Sequence, residues 1–159
     1  MPQYATTPPN AAHIRPPVGG LIARFLDAQN QVYPDVLHEL RAGHKRGHWM
    51  WYIFPQITGL GHSAMAERFS IGDIEEARAY LAHPILGARL HDCTSAVLLH
   101  APGGAAPRAL SEIFGYPDNL KFHSSMTLFN RADPDEPLFT QALEAFFGGR
   151  EDQATLDRL

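Results

Sequence analysis

The chain has 159 residues, enough for one domain with its own core, and 45% hydrophobic against 19% charged residues excludes a globally disordered protein. Lys and Arg number 13 and Asp and Glu 17, a net charge of −4, which excludes a broadly basic nucleic-acid binder while leaving room for a local basic patch. The one cysteine, Cys93, excludes an internal disulfide and a multi-cysteine zinc site, and the lack of both a long apolar span and a charged-then-apolar leader pattern makes a cytoplasmic location the expectation.

Residues 1–20 hold Pro2, Pro8, Pro9, Pro16, Pro17, Gly19 and Gly20 without an apolar period. Proline removes backbone donors and fixes φ, so this stretch predicts a flexible tail. Residues 21–159 read as a single helical domain. Leu21, Ile22, Phe25, Leu26 and Gln29 recur at helical spacing. Pro34 suits the first turn of a second helix, which Gly43 stops. The apolar run Trp49–Phe54 fits either a short strand or a buried helical turn. Ser63 is placed to cap a short helix to Phe69, and Asp73 with Glu76 reads as a capping box for the next.

Pro84 opens a longer helix with Ile85, Leu86, Leu90, Cys93, Ala96 and Val97 expected inward. A Gly/Pro/Ala loop follows over 101–107, then a short helix ended by Gly115. Asp118 is expected to cap a helix over 119–129. Asp135 and Pro137 open another, closed by Gly148 and Gly149, and a last short helix falls near 154–159. The expected fold is a mainly α, single-domain orthogonal bundle of seven or eight short helices with at most marginal strand, since the alternating strand and helix patterns of a wound sheet are absent.

Three segments carry candidate chemistry. Lys45-Arg46-Gly-His48-Trp49-Met-Trp51 puts two permanent cations and an imidazole beside two indoles. Cations beside aromatic planes suit an anion with a stacking ring. Gln56 and the turn Gly59-Leu-Gly-His62-Ser63 follow directly, but the spacing is neither a P-loop nor GxGxxG. On a helix, Lys121, Ser124 and Ser125 share a face, and a lysine with two hydroxyls suits phosphate. All three segments also admit a structural reading: a buried aromatic run, a capped turn and a surface lysine beside a close helix contact. Their shared mixture of Lys, His and small polar groups with large aromatics predicts that 45–63 and 119–125 line one pocket. No metal site is assigned, because the nine histidines are scattered and His44 and His48 are separated by Gly47. Cys93 reads as inert core.

The strings Phe25-Leu-Asp-Ala-Gln29, Lys45 through Gln56, Gly59 through Ser63, Ala79 through Leu90, Ile113-Phe-Gly115 and Asp118 through Phe129 together resemble the bacterial family of unknown function DUF1810. The resemblance runs in order over about residues 21–150. It implies a mainly helical fold and carries no established activity. Some members of that family bear the label calpastatin, but no protease-inhibitor repeat is visible here. Gly47 departs from the family, which usually has Ser before the His-Trp pair, so a ligand contact from that hydroxyl would be missing.

Two functions follow as expectations. The first is binding or processing of a nucleotide-like or ADP-ribose-like anionic small molecule. Lys45, Arg46 and Lys121 would then hold phosphate, with Arg46 foremost. Trp49 or Trp51 would stack a ring, Gln56, Ser124 and Ser125 would complete the site, and His48 or His62 would move a proton. The second is a non-enzymatic protein–protein interaction domain in which the same motifs are structural. No cofactor is assigned.

Overall fold

A computed structural model describes residues 18–159, with side chains from Ile22 onward. The expected tail lies outside the described residues apart from its last three, Val18–Gly20, which open the first helix. Among the described residues there are ten helices. These are α1 (Val18–Asn30), α2 (Tyr33–Ala42), α3 (Met50–Ile53), α4 (Ala64–Arg68) and α5 (Ile74–Ala82), followed by α6 (Pro84–Leu98), α7 (Leu110–Phe114), α8 (Asp118–Ala132), α9 (Pro137–Phe147) and α10 (Gln153–Leu156). The count exceeds the expected seven or eight: Trp49–Phe54, open between strand and helix in the sequence, yields the four-residue α3, and the last short helix expected near 154–159 is present as α10. The only pairing of strand type among these residues is one isolated parallel bridge, Ile57 with Ile71.

Local chemistry sets most helix ends. Gly43 takes the left-handed conformation (φ 75°) that glycine adopts without penalty, and this ends α2. Ser63 accepts from the Ala66 amide at 3.1 Å and Asp73 from the Glu76 amide at 2.9 Å, so both cap as expected. Asp118 does not cap. It sits inside the first turn of α8, behind Pro117, and its carboxylate turns to two lysines instead.

α8 is the spine: α5, α7, α9 and α10 all pack on it. Phe122 on α8 stands edge-on to Phe54 at 5.1 Å and is stacked with Phe114 at the same distance. Two turns further, Phe129 meets Tyr80, which in turn meets Phe25 on α1 at 5.2 Å. Edge-to-face and offset pairs of this kind add to the area that burial removes from water. Gln29, buried inside this packing, donates to the Tyr52 carbonyl at 2.7 Å and the Tyr80 hydroxyl at 3.0 Å, locking α1 to α3 and α5. No helix among the described residues is long and apolar enough to cross a membrane.

Candidate functional site

The loop between α2 and α3 carries the Lys45–Trp51 motif, and it is pinned from both sides. The Lys45 amide donates to the Ile113 carbonyl on α7 at 2.8 Å. On the other side, one oxygen of Glu39 accepts from the Arg46 amide at 2.7 Å, the Gly47 amide at 2.9 Å and the Trp49 indole Nε1 at 2.9 Å. Burial raises the Glu39 pKa, but these donors and the nearby Lys45 outweigh it and hold the carboxyl below its ordinary value. Trp49 is 2% exposed, packed against Phe54, and so is closed to any ligand. A Cβ added at Gly47 would meet Trp49 Cδ1 at 2.7 Å and lie 3.7 Å from Glu39 Oε2. A serine hydroxyl there would join this Glu39 knot rather than an open site.

Lys45 and Lys121 converge on Asp118. Lys45 Nζ lies 2.9 Å from Asp118 Oδ2, donates to the Gly47 carbonyl at 2.6 Å and sits over the Trp49 ring. It is therefore fully committed. Lys121 Nζ is 3.4 Å from Asp118 Oδ1 and 5.2 Å from the centre of the Trp51 ring, and its side chain is more exposed. Two cations against one carboxylate leave one positive charge over, and the looser pair assigns it to Lys121.

Lys121 opens on a cleft of about 460 Å³ whose walls include Gln56, His62, Lys121, Ser124 and Asp152, with Leu60, Ala66 and Leu120 as apolar floor. A smaller chamber of about 230 Å³ adjoins it, sharing Gln56, Gly61, His62 and Ala66 and reaching Trp51. The Ile57–Ile71 bridge holds this wall: Ile71 donates to the Gln56 carbonyl and Thr58 to the Ile71 carbonyl, each at 2.8 Å. On the opposite wall, Ser124 Oγ donates to Asp152 Oδ2 at 2.9 Å. His123 lies flat on Phe147 with Nε2 at 2.7 Å from the Arg150 carbonyl.

The two segments thus meet: Trp51, Gln56, His62, Lys121 and Ser124 line connected space. The remaining sequence candidates fall elsewhere. Arg46 is exposed and lines a separate hollow with Asp35, His38, Glu39 and His44. His48 is exposed and lines neither chamber of the cleft. Ser125 is fully buried, its Oγ without a hydrogen-bond partner, because one residue further round α8 turns it 100° away from Ser124. Sequence reasoning missed Glu39, Asp118 and Asp152. A carboxylate beside Lys and Ser at helical spacing, Asp118 to Lys121, was the available signal for one of them. Cys93 is buried on α6, where desolvation pushes its thiol up to about 12, as suits an inert core position.

Residues 21–159 match the family model described as protein of unknown function (DUF1810). Among solved structures, the chain is similar to the conserved hypothetical protein Rv1873 from Mycobacterium tuberculosis, 51% identical with a TM-score of 0.81, over 87% of this chain and 95% of that one. No curated protein matches it. With the family model matching all but the first three described residues, the chain belongs to the DUF1810 family.

Proposed function

We propose that this protein, in the cytoplasm, binds or processes a small anionic molecule of nucleotide-like or ADP-ribose-like character in the cleft between Gln56, His62 and Lys121. The observation that carries the reading is the shared carboxylate: Asp118 faces both Lys45 and Lys121, at 2.9 and 3.4 Å, and the less tightly held Lys121 borders the cleft. Lys121 holds the phosphate, Gln56 orients it, and His62 is the group that moves a proton. Trp51 borders the adjoining chamber and offers its indole to a ring. Arg46, on a different face, takes no part.

A thermal-shift panel of nucleotides, nicotinamide dinucleotides and ADP-ribose at millimolar ligand tests the reading, since a ligand bound only by the folded state raises the melting temperature. At least one compound raises it in the parent protein, and Lys121→Ala removes the rise. A panel without any shift overturns the proposal. The alternative of a protein-docking domain has one observation in its favour: Tyr116 is 80% exposed, and Leu120, which lines the cleft, 49%. It gains ground if the panel is silent and Tyr116→Ala leaves stability unchanged.

A further inference from the structure

The far wall of the cleft contains a second polar group placed for a ligand. Asp152 caps α10, and a single oxygen, Oδ2, does all of that work. It accepts from the Thr155 amide at 3.2 Å, the Thr155 hydroxyl at 2.6 Å and the Ser124 hydroxyl at 2.9 Å. The Asp152 amide donates to Thr127 Oγ1 at 2.9 Å, so the residue is fixed to α8 from both main chain and side chain. No hydrogen bond reaches Oδ1 from the described residues, and Asp152, half-buried, lines the same cleft as Lys121.

Lys121 and Ser124 are separated by one helical turn of α8, roughly 5 Å along its axis. The carboxylate bound to Ser124 is thus carried about one turn from the ammonium. The cleft therefore presents a cation and, about one helical turn away, a carboxylate held rigid by Ser124 and Thr155, with Leu60 and Leu120 also in its lining. An ionised carboxylate accepts but does not donate. It repels a second phosphate and favours a group that donates two hydroxyl hydrogens.

From this we infer that the ligand is a phosphorylated sugar with a vicinal diol, its phosphate on Lys121 and both hydroxyls of the diol donating to Asp152 Oδ1. The inference rests on the anion-binding reading above and narrows it. It separates ribose phosphates from deoxyribose phosphates and from free phosphate, whether the sugar arrives alone or as part of a nucleotide.

Calorimetric titration of the full chain with ribose 5-phosphate, 2-deoxyribose 5-phosphate, inorganic phosphate and adenosine 5′-monophosphate tests it. Ribose 5-phosphate is expected to bind about tenfold more tightly than its deoxy analogue, the effect of one hydrogen bond to a charged group. Asp152→Asn retains an oxygen for Ser124 and Thr155 but replaces the free acceptor with a donor, so it abolishes that preference and leaves the deoxy affinity in place. Tighter binding of the adenosine compound assigns the sugar to a nucleotide; equal binding assigns it to a free sugar phosphate. Equal affinity for the ribose and deoxyribose compounds in the parent overturns the diol inference while leaving anion binding intact. If neither these probes nor the nucleotide panel bind the parent, both readings fall. The comparison on the parent decides the matter even if Asp152→Asn does not fold.

Discussion

Glu39 and Asp118 are both half-buried carboxylates that gather donors from the Lys45–Trp51 loop, yet they do opposite things with them. Glu39 receives two amides and an indole on one oxygen, all within 2.9 Å, and holds all three in place. Asp118 meets two ammonium groups at 2.9 and 3.4 Å and cannot neutralise both. The first arrangement fixes a loop; the second leaves charge at the edge of a cleft. Within the basic-aromatic motif Lys45 and Trp49 are thus turned inward as structure, Arg46 and His48 lie exposed outside the cleft, and Trp51 borders open space.

The comparison breaks most visibly at Trp49. Trp49→Ala removes a fully packed ring as well as the indole donor to Glu39, and unfolding in urea should show a loss of about 3–5 kcal/mol. Glu39→Ala strands the three donors and is expected to lose about 2 kcal/mol in the same measurement. Glu39→Gln sharpens the point through pH. The folded carboxyl is held below its ordinary value, so its contribution is complete above the unfolded carboxyl range and is lost as the pH falls through the lower folded value. The parent should lose stability over roughly pH 5 to 3 more steeply than Glu39→Gln.

On the Asp118 side the stability effects shrink. Lys45→Met removes the bonds to Gly47 and Asp118 and is expected to lose about 1–2 kcal/mol. It also leaves Asp118 free to draw in Lys121, so anion affinity falls without any change to the cleft wall. Lys121→Ala changes stability by less than about 1 kcal/mol, since its ion pair is partly exposed. His48→Ala, at an exposed position outside the cleft, leaves both stability and ligand binding where they were.

The helices were largely legible from sequence because their punctuation is local: Gly43, Ser63, Asp73, Pro84 and Pro137 all act within one turn of where they stand. Trp49–Phe54 was ambiguous because six apolar residues satisfy either period, and only packing between α1 and α8 selects a helical turn. The site was legible at the level of segments and illegible at the level of side chains. Trp49 and Trp51 are two residues apart, so on a helical turn they point in widely different directions, one into the core and one to the cleft. Ser124 and Ser125 part in the same way. Arg46 reads as the stronger anion ligand by its chemistry, but the Glu39 knot sets the loop so that it faces another hollow. Asp118 reads as a cap because its partner Lys45 is remote in sequence, and Asp152 carries no local pattern beyond its own short helix.

Lys121, and not the Glu39 knot, is proposed to serve the cleft. The most direct test is calorimetric titration, near pH 7, of the parent, Glu39→Gln and Lys121→Ala with whichever of ADP-ribose and the nucleotides the thermal panel selects. The account predicts that Glu39→Gln binds like the parent despite its lower stability, while Lys121→Ala binds at least about tenfold more weakly at unchanged stability. Equal binding by Lys121→Ala and the parent, or a loss confined to Glu39→Gln, would contradict it.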